Sequence, residues 1–376
     1  MTTVFDAGII GGGLGGLTLA IQLAKKGHKV ILFEKEKYPF HKVCGEYVSM
    51  ESRNFLMRCG LKLDEMNLPV INRLNITAPN GNSISHNLTQ GGFGISRYTL
   101  DALLVEQAIT HGVIIKELCK VSEVIYTIND FIIHTSAGVF TSKFAFGSYG
   151  KRSNLDVKLK RKFILKKQKG AQNYIGVKYH IKTDHDANLI ALHNFKNGYC
   201  GISKIEEGKY CLCYLTTEQN LKESGNDIKK MEQNILYKNP HLRKIFEEAT
   251  FLYEVPLVIS QINFEPKTQI ENHIIMLGDA AGLITPLCGN GMSMAMRAAD
   301  MLATLMPENN NEENMNMFES AYQLAWKNEF ALRLKAGRII QNMFGAELPT
   351  NVFISVLKPF PLFVQLLVQL THGKPF

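Results

Sequence analysis

The strongest constraint on this chain is a glycine-rich turn close to its start. Phe5–Ile10 is a short apolar run, and the stretch GIIGGGLGG places Gly11, Gly13 and Gly16 in a GxGxxG pattern. A helix is predicted from about Leu17 to Lys26, closed by Gly27, and a second strand over Val30–Phe33. Strand, glycine turn, helix and strand make one βαβ unit. The first glycine permits the tight turn, the second lets backbone approach a pyrophosphate, and the third lets the helix sit close on the strand. Free amides at the helix start then face the anion. Glu34 ends the second strand, 23 residues after Gly11 (34 − 11). Its carboxylate suits ribose hydroxyls and repels a 2′-phosphate. These residues imply a dinucleotide but do not separate NAD from FAD.

At 376 residues the chain is too long for one simple core and fits two domains, or one with a large insert. Its net charge of +8 suits anionic ligands. The basic run Lys158–Lys169 reads as a solvated connection. No aromatic stacking platform accompanies it, so nucleic acid is not an expected partner. The seven cysteines are scattered and match no metal-ligand spacing, so reduced thiols and no metal are expected. No charged segment precedes the first apolar stretch and no apolar run reaches about 18 residues, so a cytoplasmic chain is expected. The nearest approach, Phe353–Leu370, is broken by Lys358, Pro359 and Pro361. It suits a segment lying on a membrane surface or covering an apolar tunnel.

Further along, Val70–Leu88 reads as a hairpin turning at Pro79-Asn80-Gly81, and Leu100–His111 as a helix. Val113–Phe140 reads as two or three strands turning at Asn129-Asp130. Tyr174–Tyr214 is strand-rich and Asp227–Glu248 mostly helical. Ile274–Leu277 is a buried strand, a helix runs from Gly291 to Leu305, and the tail from Met315 is helical.

The segment Ile274–Gly291, IIMLGDAAGLITPLCGNG, resembles the second FAD-binding motif of group A flavoprotein monooxygenases and geranylgeranyl reductases. Gly278, Asp279, Pro286, Gly289 and Gly291 match it. The resemblance implies non-covalent FAD, with Asp279 on the ribityl chain and the positive end of the following helix at the pyrimidine edge of the flavin. It also implies cofactor contacts from Leu14, Gly15, Lys35, Gly45, Asn290 and Met292. RYTLDALLVEQA resembles the segment in which an Arg before a helix touches the cofactor, here Arg97; a surface salt bridge is the alternative. KFAFGSYGKRSNL sits at the family's Asp-Gly motif with Tyr149 in place of the Asp, which puts classical NAD(P)H handling in doubt. The implied fold is α/β: a Rossmann-like FAD domain of the glutathione reductase type (1–75, 95–157 and 270–310), an inserted mixed-sheet substrate domain (76–94 and 158–269), and a helical C-terminal region (311–376).

PFHKVCGE resembles the PxxxxCG segment of geranylgeranyl reductases, placing Cys44 near the flavin, with a buried structural cysteine as the alternative. Of the reductases' YxWxFP substrate segment only Tyr199 remains. Trp326 is the sole tryptophan, so the Trp-x-Trp-x-Ile segment of flavin halogenases is absent and halogenation is not expected. The expected activity is FAD-dependent monooxygenation of an apolar or aromatic small molecule, with NAD(P)H as transient reductant. Two alternatives stay open: a reductase of a prenyl or lipid-like chain, and a non-catalytic binding protein on the same fold.

Overall fold

The computed structural model describes residues 3–128, 130–165, 173–262, 264–285, 289–343 and 347–376. Pro286, Cys288, Asn129 and the end of the basic run lie outside the described residues. The architecture is two sheets with helices packed on them. The first sheet holds β1 (Val4–Ile10), β2 (Val30–Phe33), β6 (Ile114–Lys116), β7 (Val121–Tyr126), β8 (Phe131–Thr135), β9 (Gly138–Gly147), β16 (Ile270–Glu271) and β17 (Ile274–Met276). Its order is β16-β17-β9-β1-β2-β6, parallel except for β16, with β7 and β8 meandering onto β9. Strands buried on both faces need unbroken apolar runs, and Val30–Phe33 and Ile274–Met276 are buried at every position.

Helices α1 (Leu14–Lys25), α3 (Arg97–Thr110) and α9 (Gly291–Leu305) pack with this sheet in one core. The backbone of α1 comes close to α9 because Gly15 leaves room: a Cβ there would sit 3.3 Å from the carbonyl oxygen of Ala295.

The second sheet holds β3 (Tyr47–Ser49), β4 (Val70–Thr77), β5 (Ser83–Gly94), β10 (Tyr174–Lys182), β11 (Leu189–Phe195), β12 (Gly198–Lys204), β13 (Tyr210–Thr217), β14 (Thr250–Phe251) and β15 (Leu257–Ile262). The expected hairpin is β4–β5, antiparallel and closed by Gly81 at φ +90°. This sheet begins earlier in the chain than the expected boundary at residue 76, because β3 and β4 both belong to it. The region around 113–140 holds four strands rather than two or three. The remaining helices are α2 (Arg53–Arg58), α4 (Asn154–Lys158), α5 (Lys162–Leu165), α6 (Glu218–Glu223), α7 (Ile228–Asn234), α8 (Pro240–Glu248), α10 (Glu312–Met343), α11 (Glu347–Leu357) and α12 (Pro361–Thr371).

The C-terminal region is divided between the two sheets. Phe318, Tyr322, Trp326 and Phe330 of α10 join the core of the first. Ile354, Leu357 and Val364 of α11 and α12 pack on Ala78 and Ile84, next to the second.

The basic run departs from its expected solvated character at Arg161, which is buried. Its guanidinium pairs with Asp156 at 2.8 Å and donates to the carbonyl of Thr268 at 2.7 Å. The Tyr149 hydroxyl donates to the same carboxylate at 3.1 Å. The side chain at the family's Asp position therefore joins a buried Tyr149–Asp156–Arg161 knot. Removing the cation would strand a buried carboxylate, which costs about 3–5 kcal/mol. Arg161→Met should lose that much unfolding free energy in urea titration; a loss under about 1 kcal/mol would show that the knot carries no stability.

Candidate functional site: a dinucleotide cradle beside an apolar cavity

The glycine turn performs the three expected jobs at three different positions. Gly11 takes φ +103°, and a Cβ there would meet the Ser148 carbonyl at 2.4 Å. A Cβ on Gly16 would lie 2.1 Å from the Gly11 carbonyl, so only glycine lets α1 start so close to β1. Gly13 faces open space, with no atom within 4 Å of a built Cβ. Glu34 is buried, and its carboxylate accepts hydrogen bonds from the amides of Gly12 (2.9 Å) and Glu36 (3.1 Å). Those two amides fix the acid at the lip of the turn. Leu14 is buried in the core below, while Lys35 is exposed and lies 3.6 Å from Glu36.

The second cradle lies next to the first, where Gly15 comes close to Leu277 and Ala295. Gly278 takes φ +59°, and the Asp279 carboxyl is pushed up by burial against the pull of Lys267, Arg97 and Lys151. Both of those lysines are pushed down to about 8, chiefly by burial. The Lys267 ammonium donates to the carbonyls of Asp279 and Lys151, each at 2.7 Å. These lysines were missed in the sequence, where each is one among many; only the fold puts them beside Asp279. Gly289 (φ +64°), Asn290 and Gly291 open α9. The Asn290 amide nitrogen donates to the Thr371 carbonyl at 2.9 Å, while its buried oxygen has no hydrogen-bond partner among the described residues.

Arg97 is not a surface ion pair. It forms a two-pronged bond to Asp101, 2.8 Å on each arm, and Lys42 reaches the same carboxylate at 2.9 Å. Cys44 touches Met292, sulfur to sulfur, at 3.6 Å, so the 38–46 loop lies against the start of α9. Burial pushes the Cys44 thiol up, away from the thiolate form, which favours the buried structural cysteine among the two readings of this position. Gly45 faces open space like Gly13.

A buried charge cluster unmarked by any motif lies under this loop. Glu46, at φ +55°, accepts from the Arg97 amide (2.8 Å), from the Lys178 ammonium and from His180 Nε2 (2.6 Å). Lys178 and His180 face Cys213 and Cys211 across β10 and β13. Ligand atoms of Glu46, His180 and Cys211 lie within 4.8 Å of one another, and the Lys178 ammonium already balances the carboxylate. Burial would raise the Glu46 pKa, but the His180 hydrogen bond and the Lys178 charge outweigh it and hold the carboxyl low.

Beside the cradle an apolar cavity of about 100 Å³ opens. Leu74, Ile76, Leu88, Ile190 and Leu192 of the second sheet form one wall. Ile340, Phe353, Leu357, Leu367 and Val368 of the last three helices form the other, and Tyr47 and Gly289 close the end next to α9. Tyr199 is not in the lining; it packs with Leu74 and Leu192 behind the wall.

The residues present fit FAD. Gly13 and Gly45 leave open space where phosphate and ring would pass, Glu34 is fixed for ribose, and the Asn290 oxygen, without a partner among the described residues, sits at the positive end of α9. A cradle of this build against a second sheet is that of an FAD-dependent oxidoreductase. Within that class the chain belongs to the squalene epoxidase family, whose model matches residues 161–355, and an NAD(P)-binding Rossmann-like domain model matches residues 9–43. It is 24% identical to conditioned medium factor receptor 1 of Dictyostelium discoideum, over 87% of this chain and 68% of that one. It is 22% identical to a 1H-pyrrole-2-carbonyl-[peptidyl-carrier protein] brominase of Pseudoalteromonas luteoviolacea, over 79% of this chain and 77% of that one. Its fold is similar to that of a flavin-dependent brominase (TM-score 0.78, 17% identity, 98% and 93% of the two chains). It is equally similar to a geranylgeranyl bacteriochlorophyll reductase-like protein from Thermoplasma acidophilum (TM-score 0.78, 16% identity, 100% and 97%).

Gly13→Ala should change stability by no more than about 0.5 kcal/mol yet weaken FAD binding about tenfold or more, because its methyl enters the phosphate path. Gly16→Ala, which forces backbone apart, should cost about 1–3 kcal/mol. Flavin titration with thermal unfolding separates the two, and equal effects would reject this division of roles.

Because the Glu46 pKa is depressed in the fold, its stabilisation is complete above the ordinary Glu value of 4.5 and is lost as pH falls through the lower folded value. Unfolding free energy should therefore drop below pH 4.5, and Glu46→Gln should flatten that limb. An unchanged acid limb in the variant would place the loss elsewhere.

Proposed function

We propose that this protein is an FAD-dependent monooxygenase of an apolar small molecule, with NAD(P)H as reductant and dioxygen as oxidant. One observation carries the reading: the apolar cavity ends at Gly289 and Tyr47, where the turn opening α9 begins. Membership of the squalene epoxidase family favours oxygen insertion over reduction. Bound FAD supplies the redox chemistry, taking reducing equivalents from the nicotinamide and activating dioxygen.

The chain's own residues bind, orient and exclude water. The amides of the glycine turn and of the α9 start hold the anionic parts of the cofactor, and Glu34 holds a ribose. The positive end of α9 stabilises negative charge on whatever faces it. The cavity wall keeps the reaction dry, which strengthens each of these electrostatic effects. Thr371 and His372 are the polar side chains of its lining apart from Tyr47, so an uncharged substrate is expected. Trp326 packs on Phe330 and lies beside the Gly278–Asp279 turn rather than in the apolar cavity.

Turnover under labelled dioxygen tests the reading. Label should appear in the product of an apolar substrate, and NAD(P)H consumption coupled to product should stop without oxygen. Product formed at an unchanged rate under anaerobic conditions would replace monooxygenation with reduction of a prenyl-like chain. A product that requires halide and carries no label would replace it with halogenation.

A further inference from the structure

The long helix α10 buries one face and leaves an apolar stripe on the other. Phe318, Tyr322, Trp326, Phe330 and Leu334 point into the core of the first sheet. A surface helix turns polar residues outward. This one carries Met317, Leu324, Leu332 and Ile339 on its outer side, each more than half exposed. Single exposed apolar residues are ordinary. Four on one line of one helix are not.

The line is also symmetric. Met317 and Ile339 stand 11 residues either side of Asn328, and Leu324 and Leu332 stand four either side. Eleven and four residues are close to three turns and one turn at about 3.6 residues per turn, so all four fall within about 40° of the Asn328 direction. Asn328 is itself exposed. Core packing sets the inner period of the helix and asks nothing of the outer one. A surface that meets its own copy across a two-fold axis does ask for this pattern, because residue i then faces residue j and j faces i. Two α10 helices laid antiparallel with Asn328 on the axis set Met317 against the second copy's Ile339, and Leu324 against its Leu332. The two Asn328 amides meet at the centre, where each can donate to and accept from the other and so fix the register.

Charge selects the same arrangement. From Glu312 to Trp326 the helix carries Glu312, Glu313 and Glu319 and no Lys or Arg. From Lys327 to Met343 it carries Lys327, Arg333, Lys335 and Arg338 against Glu329 alone. An antiparallel pair sets the acidic end of each helix on the basic end of the other, while a parallel pair sets like on like. The same polarity suits the helix dipole, but the dipole asks nothing of the apolar stripe.

We propose that the outer face of α10 is a two-fold docking surface for a second copy of this chain, with Asn328 on the axis. The stripe is about 33 Å long on a helix about 10 Å wide, less than the roughly 800 Å² a side of a standard interface, so the dimer is reversible. The inner face of the same helix places Trp326 and Phe330 beside Gly278 and Asp279, and Ile340 in the wall of the apolar cavity. Pairing therefore clamps, from outside, the helix that backs both the cofactor turn and the cavity. The surface does not depend on which reaction the flavin performs.

The test uses the full chain loaded with FAD. Sedimentation velocity over roughly 1 to 100 µM, the weak end of specific association, should show mass rising from 42.2 kDa toward twice that value. Leu324→Glu with Leu332→Glu should raise the dissociation constant about tenfold or more, since each new carboxylate would face another. Val255→Glu, at an exposed apolar residue of the connection between β14 and β15, should leave it unchanged. Circular dichroism and flavin content report whether each variant is folded. Cross-linking with a short bis-maleimide, against the wild-type background, then reads the geometry. Asn328→Cys should link to itself. Met317→Cys should not, because its counterpart lies about 33 Å away, yet it should link to Ile339→Cys when the two are mixed. A chain that stays monomeric across the range, or a dimer that the Leu324/Leu332 variant leaves intact, would overturn the proposal. So would a Met317→Cys variant that links to itself, which means a parallel pair. A monomer that floats with phosphatidylcholine vesicles only while Leu324 and Leu332 are intact would give the face to lipid and overturn it as well.

Discussion

The buried carboxylate of Glu46 is the joint on which the two halves of this molecule meet. It takes a backbone hydrogen bond from the start of α3, which belongs to the first sheet, and two side-chain bonds from β10 in the second. Its own carbonyl accepts from the Ile95 amide, closing the loop onto β5 and α3. A buried carboxylate with one of these partners would be costly; with all of them it is fixed in position. The left-handed backbone at Glu46 is held because these bonds over-determine it. The joint places Cys44 and Gly45 against α9 and Tyr47 at the cavity end, so the distance from cofactor cradle to cavity is set by this contact.

The cofactor cradle was legible because its chemistry is local. Gly11, Gly13, Gly16 and Glu34 lie within one βαβ unit, where spacing fixes their geometry, and Gly278, Asp279 and Gly289–Gly291 lie within one strand–turn–helix that resembles a known FAD-binding motif. The helix expected from about Gly291 to Leu305 spans those residues, and the glycine turn that starts it is the local signal. Assignment to the class of FAD-dependent oxidoreductases needed both motifs in order.

What could not be read depended on register between distant strands. Lys178 and His180 lie 132 and 134 residues from Glu46. Their signal is visible in retrospect: YIGVKYHIK alternates a lysine and a histidine within an otherwise apolar strand, and Cys211 and Cys213 do the same opposite. Polar residues on one buried face of a strand imply a buried partner, but no local rule names it. Arg161 misled for the same reason. In a run of lysines its charge looked solvated, and only the fold shows Asp156 and Thr268 waiting for it.

Tyr149 shows how a broken motif can still hold a site together. Where the resembled family carries an Asp, this chain places a hydroxyl that donates to Asp156. Yet the backbone there is pinned against the turn, because Gly11 packs on Ser148 and on the Tyr149 α-carbon. The backbone shape of the motif therefore survives without its carboxylate, and the charge that motif would have supplied is absent from the cradle's edge. Asp279, Lys151 and Lys267 then dominate the local electrostatics, with two weakly basic amines beside one reluctant acid. The edge beside Asp279 therefore carries two lysines and one buried acid, where the resembled families add a second carboxylate, so the balance of charge at that edge is less negative than the motif would have made it.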